Sequence, residues 1–212
     1  MDKKRFIFDI DGTLLVPDWN YETEYFSSVL NNSDFDKFLP QIASLLEQYE
    51  KSFPKYDINN LSRFLTEKSG VIITPDIIRG WNKALGETKP VIIDGVVDTL
   101  EYLKSKDKSL VVLTNWFLEP QISRLKSSEL LSYFDFVYGG EQGIKPSPLI
   151  YKLACGEYDV DSSIMIGDSL DFDVYGPRAV GMESIFYNPR CKEYDKEKVK
   201  SIGSMKKIKE MF

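Results

Sequence analysis

Histidine is absent from this chain of 212 residues, and cysteine occurs only as Cys155 and Cys191. Without imidazole groups, metal ligation and acid–base chemistry fall to Asp, Glu, Lys, Tyr or Cys side chains. The two cysteines are far apart and have no metal-binding spacing, so two free thiols are a simpler interpretation than a disulfide. Because free thiols are typical of a reducing compartment, we expect a cytoplasmic protein.

The chain also lacks a long apolar run and an excess of positive charge. No stretch is long enough to cross a bilayer, and the formal net charge is -6. An acidic surface disfavours binding to a nucleic-acid backbone. We therefore expect neither a membrane nor a nucleic-acid polymer as the partner. The apolar fraction of 42% and the charged fraction of 28% are those of an ordinary globular protein.

Short apolar segments alternate with helical patterns along most of the chain. Strands are predicted over residues 5–8, 109–113, 134–138, 164–166 and 182–187. Helices are predicted over residues 96–104, 121–131, 148–156 and 172–180, with a further helical stripe towards residue 212. This alternation predicts an α/β fold, a Rossmann-like parallel sheet with helices on both faces.

The segment between residues 17 and 87 has a different character. Its apolar residues recur at helical spacing, as in Phe38, Ile42 and Leu45, and Thr74-Pro75 has the form of a helix start. We therefore predict a small all-helical cap over residues 17–87, inserted after the first strand. The Rossmann-like core would then consist of residues 1–16 and 88–212.

Polar side chains follow several of the predicted strands. They are Asp9 and Asp11 after the first strand, Thr114 and Asn115 after the second, Lys145 before the helix at 148–156, and Asp168 with Asp173 after the strand at 164–166. Ligands of open parallel sheets bind beyond the carboxyl ends of the strands, so these groups are expected to converge. Oxygen ligands of this kind suit a hard cation, and Mg²⁺ is the expected cofactor.

These segments resemble, in order, four motifs of the haloacid dehalogenase superfamily of phosphohydrolases. The matching segments are Asp9-Ile10-Asp11-Gly12-Thr13, Leu113-Thr114-Asn115, Lys145-Pro146, and Gly167-Asp168 with Asp173. One such motif alone is a weak signal, whereas four in order at plausible spacing are a strong one. The resemblance implies the phosphatase branch of this superfamily, with a type 1 helical cap at the position of the insertion.

The resemblance also implies catalytic roles for the first two aspartates. Asp9 would attack phosphorus and form an aspartyl-phosphate. Asp11 would protonate the leaving oxygen and then take a proton from the hydrolytic water.

The remaining motif residues would bind phosphate and metal. Thr114, the backbone N–H of Asn115 and Lys145 would hold the phosphoryl group. Mg²⁺ would be bound by Asp9, the Asp11 carbonyl and Asp168. Asp173 would orient Lys145 or a water of the metal.

The function implied is that of a Mg²⁺-dependent phosphomonoester hydrolase acting on a small phosphorylated metabolite, such as a sugar phosphate or a nucleotide. A phosphomutase on the same core is an alternative, and a dehalogenase or a non-catalytic phosphate-binding module are weaker ones. Asp11 argues against a dehalogenase, because halide displacement needs no leaving-group acid. Gln121 and Arg124-Leu125 resemble the nucleotide and sugar-phosphate phosphatases of the superfamily.

Other cap residues are candidates for substrate contact, with structural interpretations preferred. Most of the aromatic residues Trp19, Tyr21, Tyr25, Phe26 and Trp81 are expected to pack within the cap. The basic residues Arg63, Lys68, Arg79 and Lys83 are expected on solvated faces.

Overall fold

A computed structural model describes residues 3–195 and 199–212 of the protein, and this part of the chain contains one six-stranded sheet. The strands are β1 (Arg5–Phe8), β2 (Ser109–Leu113), β3 (Phe136–Tyr138), β4 (Ser163–Gly167), β5 (Glu183–Tyr187) and β6 (Ser201–Ile202). All neighbours are parallel, in the order β3-β2-β1-β4-β5-β6. The predicted α/β fold with a parallel sheet is confirmed.

Strand β1 lies in the interior of the sheet, between β2 and β4. Successive side chains of a strand point to opposite faces, so Phe6 and Phe8 pack in one apolar cluster and Ile7 packs in another. All four strand residues are buried because helices cover both faces. The strand therefore carries the next residue, Asp9, to the middle of the carboxyl edge, where its N–H donates to the carbonyl of Ile166 at 3.0 Å.

Five helices, called the cap helices below, lie between residues 20 and 86. They are α1 (Asn20–Val29), α2 (Asn32–Phe38), α3 (Ile42–Ser52), α4 (Ile58–Ser69) and α5 (Pro75–Gly86). Helix α5 begins as predicted, because the Thr74 hydroxyl accepts the N–H of Ile77 at 3.3 Å and Pro75 stands in the first turn. Asp57 caps α4 in the same way, accepting the N–H of Asn60 at 2.9 Å.

The helical segment has its own apolar cluster, which includes Phe26, Tyr49 and Trp81. The same cluster contains Phe117 and Ile144, which belong to loops at the carboxyl edge of the sheet. The cap helices therefore pack directly on the loops that carry the phosphate-binding candidates.

The other helices surround the sheet. They are α6 (Val96–Ser105), α7 (Leu118–Ser127), α8 (Pro148–Cys155), α9 (Gly176–Ala179) and α10 (Ile208–Met211). Among the residues described, no helix is both long and apolar enough to span a membrane.

Three local predictions differ from the structure. The helix predicted over 121–131 starts earlier, as α7, and ends at Ser127, because Glu129 takes a left-handed conformation with φ 62°. The segment predicted as a helix over 172–180 is a π-helical turn, Leu170–Tyr175, followed by the short α9. Strand β6 was missed because two residues are too few to show an alternating pattern.

Candidate active site

Three charged side chains meet beneath the carboxyl edge of the sheet. The Lys145 Nζ lies 2.8 Å from Oδ1 of Asp9 and 2.7 Å from Oδ1 of Asp173. Lys145 is 2% exposed and Asp173 is 1% exposed. The second oxygen of Asp173 accepts the N–H of Ser169 at 3.1 Å. One buried ammonium thus joins the loops after β1, β3 and β4.

Burial and charge act in opposite directions on this cluster. Burial raises the pKa of Asp9, while the neighbouring Lys145 ammonium opposes that rise and Asp173 adds to it. Burial lowers the pKa of Lys145, but the carboxylates of Asp173 and Asp9 outweigh it and hold that pKa above its ordinary value. Lys145 therefore stays an ammonium and keeps a positive charge beside the proposed nucleophile.

The carboxylates of Asp9, Asp168 and Asp173 form a group that fits a hard cation. One oxygen from each lies within 4.8 Å of the others. Gly12 has φ +84°, and a Cβ at this position would lie 2.7 Å from Oδ2 of Asp168, so the first loop lies directly against that carboxylate. Carboxylate oxygens are the ligands that Mg²⁺ prefers. Asp173 has both oxygens engaged, which leaves Asp9 and Asp168 with more capacity to bind metal.

Asp11 is held by helix α7. Arg124 forms a bidentate ion pair with it, with Nη2 2.7 Å from Oδ1 and Nη1 3.1 Å from Oδ2. Gln121 donates to Oδ2 of Asp11 at 3.2 Å and to the Thr114 hydroxyl at 3.3 Å. The Arg124 side chain is 4% exposed and that of Asp11 is 25% exposed. Gln121 therefore links the acid candidate to the phosphate-binding candidate.

The Asn115 side chain orders the lysine loop. Its Oδ1 accepts the N–H of Lys145 at 2.7 Å, and its Nδ2 donates to the Lys145 carbonyl at 3.2 Å. This pair of hydrogen bonds joins residues that are 30 positions apart and fixes the backbone from which the lysine side chain reaches Asp9. The sequence indicated only the backbone of Asn115, because a side-chain contact over this distance leaves no local pattern.

All seven predicted site residues line one cavity of about 290 Å³. They are Asp9, Asp11, Thr114, Asn115, Lys145, Asp168 and Asp173. The cap contributes further lining residues, which are Trp19, Tyr21, Glu22, Leu46, Glu50, Tyr56 and Leu85. The site thus lies between the sheet edge and the cap helices.

The cap aromatic residues divide between this cavity and the interior of the cap. Trp19 and Tyr21 line the cavity, and Tyr21 also packs in the apolar cluster of the cap with Tyr25, Phe26 and Trp81. The four basic residues considered above, Arg63, Lys68, Arg79 and Lys83, are all exposed, as expected.

Four residues near the site were not predicted to belong to it. They are Gln121, Arg124, Glu22 and Glu50. The sequence gives a partial indication for Gln121 and Arg124, because they share a helix face with the buried Leu125. Polar side chains on a buried face need polar partners, which suggests that these two residues contact a polar site. For the two glutamates there is no such indication, since the sequence does not indicate which cap face is turned to the core.

Comparison with known proteins identifies the family of this chain. The model of the haloacid dehalogenase-like hydrolase family matches residues 6–187. The chain is 29% identical over 205 residues to the pyrimidine 5'-nucleotidase PynA of Streptococcus pneumoniae, covering 88% of this chain and 84% of that protein. It is 26% identical over 194 residues to the glyceraldehyde 3-phosphate phosphatase of Pyrococcus furiosus, covering 87% and 80%.

A solved structure extends the likeness to the whole fold. The HAD-hydrolase YfnB from Bacillus subtilis, bound to magnesium, superposes with a TM-score of 0.74 at 20% identity, covering 100% of this chain and 99% of that one. The family match runs from strand β1, through the first aspartate motif, to the end of strand β5. This chain belongs to the haloacid dehalogenase-like hydrolase family.

Proposed function

We propose that this protein is a Mg²⁺-dependent phosphatase that hydrolyses small phosphate monoesters through an aspartyl-phosphate on Asp9. The observation that carries the proposal is the Asp9–Lys145–Asp173 cluster at a cavity that Asp11 and Thr114 also line. A nucleophile, an acid and phosphate-binding groups are thereby available to one substrate.

In the first half-reaction, an Oδ of Asp9 attacks phosphorus and the ester P–O bond breaks. Asp11, protonated on one oxygen while the other still accepts from Arg124, gives its proton to the departing oxygen, so the leaving group departs as an alcohol. Lys145 is already 2.8 Å from Asp9 and offsets negative charge on the nucleophile and the transferring group. The Thr114 hydroxyl donates to a phosphoryl oxygen.

In the second half-reaction, a water oxygen attacks the phosphorus of the aspartyl-phosphate. Asp11, now the carboxylate, takes a proton from that water, and the bond between phosphorus and Asp9 breaks. Inorganic phosphate leaves, and Asp9 and Asp11 return to their starting states. Asp11 thus acts once as an acid and once as a base.

Mg²⁺ would be held by Asp9, Asp168 and the main-chain carbonyl of Asp11, and when bound it supplies positive charge that offsets the charge of the phosphoryl group. Asp173 acts on Lys145, since one of its oxygens lies 2.7 Å from the ammonium. Its other oxygen is fixed by the N–H of Ser169, so Asp173 sets the direction in which the lysine points.

The substrate is a small phosphorylated metabolite. Two relatives bear the names pyrimidine 5'-nucleotidase and glyceraldehyde 3-phosphate phosphatase, which denote small phosphate esters of different shape. A cavity of about 290 Å³ has the size for such an ester. A phosphomutase would need the aspartyl-phosphate to survive until it is returned to substrate.

Hydrolysis of para-nitrophenyl phosphate tests this proposal. We expect phosphate release in Mg²⁺, loss of activity in EDTA, and recovery when Mg²⁺ is returned. Asp9→Asn should abolish turnover, whereas Asp98→Asn, a change on the exposed face of α6, should not. Turnover that survives in Asp9→Asn would refute the proposal. Transfer of phosphate to an acceptor without its release to water would indicate a phosphomutase instead.

A further inference from the structure

Two glutamates of the cap line the catalytic cavity, and neither has a role in the chemistry described above. Glu50 lies on α3 and accepts the hydroxyl of Tyr56 at 2.9 Å. Glu22 lies on α1, is 9% exposed, and accepts the hydroxyl of Tyr21 at 3.3 Å. In the described part of the chain, neither carboxyl group forms an ion pair with a basic side chain, although both residues line the cavity.

Among the residues that the structure describes, none brings an unengaged positive charge to the cavity. Among the described residues, Lys145 is the only basic side chain that lines it, and its ammonium is shared by Asp9 and Asp173. The nearby Arg124 is engaged by Asp11 through both of its terminal nitrogens. The lining carries six carboxyl groups, those of Asp9, Asp11, Glu22, Glu50, Asp168 and Asp173.

These charges leave nothing to balance a second anion on the substrate. Lys145, Arg124, Lys192 and one divalent cation would supply five positive charges, against four negative charges on the aspartates and about two on the transferring phosphate. A second phosphate or a carboxylate would therefore lie beside Glu22 and Glu50, where like charges in a partly desolvated site repel. A hydroxyl or amino group placed there would instead donate to a carboxyl oxygen.

A second observation points to a ligand at this end of the cavity. Trp116 lines the cavity, and its buried indole N–H has no acceptor among the described residues. A buried donor without a partner is costly, so an acceptor on a bound molecule would satisfy it. Trp19, 57% exposed, adds an aromatic surface to the same cavity. The wall thus combines acceptors, one donor and flat apolar surface, which suits a polar organic group without negative charge.

We propose that the cap selects phosphate monoesters whose leaving group is uncharged or cationic and bears hydroxyl or amino hydrogens, and that Glu22 and Glu50 reject a second anionic group. The inference rests on the proposed phosphatase function and deepens it by naming the substrate class. Substrates of this class include the phosphates of simple polyols, neutral sugars and nucleosides, whereas bisphosphates and phosphorylated carboxylic acids fall outside it.

Matched ester pairs test the selection. Glycerol 3-phosphate and 3-phosphoglycerate differ in a hydroxymethyl against a carboxylate, and fructose 6-phosphate and fructose 1,6-bisphosphate differ in one phosphate. For each ester, kcat/KM in Mg²⁺ and the competitive inhibition constant against para-nitrophenyl phosphate are measured at about pH 8, above the value of about 7 to which burial raises the pKa of Glu22. We expect the neutral member to be favoured at least tenfold in kcat/KM or inhibition constant, about the discrimination that one like-charge contact supplies.

Variants that replace the two glutamates with glutamine test whether Glu22 and Glu50 cause the discrimination against the anionic ester. The double variant Glu22→Gln/Glu50→Gln should reduce the discrimination between pair members about tenfold, mainly by tighter binding of the anionic ester. The matched control Glu24→Gln/Glu47→Gln changes exposed positions of the same helices, α1 and α3, and should leave the ratio unchanged. Thermal melting of both double variants reports whether each is folded.

The outcomes separate the inference from the function on which it rests. Equal kcat/KM values and inhibition constants for the two members of each pair would overturn the inference. A ratio that the double variant leaves unchanged would overturn it as well. Neither result would affect the proposed phosphatase function. If Mg²⁺ supports hydrolysis neither of these esters nor of para-nitrophenyl phosphate, the proposed function fails and the inference fails with it.

Discussion

Removing the guanidinium of Arg124 should impair the acid step selectively. In Arg124→Met, Asp11 loses both hydrogen bonds of a bidentate pair and keeps only the weaker contact of Gln121 at 3.2 Å. Displacement of a catalytic group by about 1 Å can cost about 100-fold in rate. We therefore expect kcat for alkyl phosphates, whose alkoxide leaving groups need a proton, to fall about 100-fold.

The loss should depend on the leaving group. Nitrophenolate departs without much help from an acid, so para-nitrophenyl phosphate should lose far less activity than glycerol 3-phosphate. Arg124→Lys keeps the positive charge but loses the two parallel N–H donors of the guanidinium. Its kcat for glycerol 3-phosphate should therefore lie between those of the native protein and Arg124→Met. Lys126→Met, on the exposed face of the same helix, serves as the matched control.

Arg124→Met should also lower the free energy of unfolding, because it breaks a largely buried ion pair. Breaking a fully buried ion pair costs about 3–5 kcal/mol. Because the Asp11 side chain is 25% exposed, water can replace part of the lost interaction, and about 2 kcal/mol is expected here. Urea unfolding measures this term separately from the rate. Equal losses for aryl and alkyl esters, in a variant that remains folded, would refute the positioning role of Arg124.

Three further predictions concern other parts of the site. Lys145→Met should lower kcat/KM by at least about 100-fold and leave two buried carboxylates unpaired, which steady-state kinetics and urea unfolding would detect. Burial raises the pKa of Glu22 from 4.5 to about 7, so its contribution to stability is full below pH 4.5 and is lost as the pH rises through 7. Relative to the native protein, Glu22→Gln should therefore gain on the order of 3 kcal/mol in free energy of unfolding between pH 4 and pH 8, and a constant difference would contradict the shift. Gly12→Ala should raise the Mg²⁺ concentration for half-maximal activity, because its Cβ would press on Asp168. Gly181→Ala, with φ +86° and no atom within 4 Å, carries similar backbone strain and should leave that concentration unchanged.

The parallel sheet could be predicted because each strand has a local signature. The apolar run of β1 ends at Asp9, and the run of β2 ends at Thr114, so the chain itself indicates where each strand meets the carboxyl edge. The start of α5 could be predicted in the same way, since the N-cap residue Thr74 and the first-turn residue Pro75 are adjacent in sequence. Predictions of this kind need only neighbouring residues.

The contacts that define the environment of the site could not be predicted in the same way. The pairing of Asp11 with Arg124 joins positions 113 residues apart and depends on how α7 packs beside the first loop. The facing of Glu22 and Glu50 towards the cavity depends on how the cap sits on the core. Neither arrangement follows from spacing along the chain, because the packing of helices on loops decides it.

The aspartyl-phosphate on Asp9 is the central claim, and chemical trapping tests it most directly. The protein is mixed with Mg²⁺ and a hydrolysed ester, quenched during turnover, reduced with borohydride and analysed by peptide mass spectrometry. An aspartyl-phosphate at position 9 would be converted to homoserine there, in the presence of substrate only, and this is the result we predict. Turnover in the same sample with unmodified Asp9, or with the modification at another carboxylate, would contradict the account.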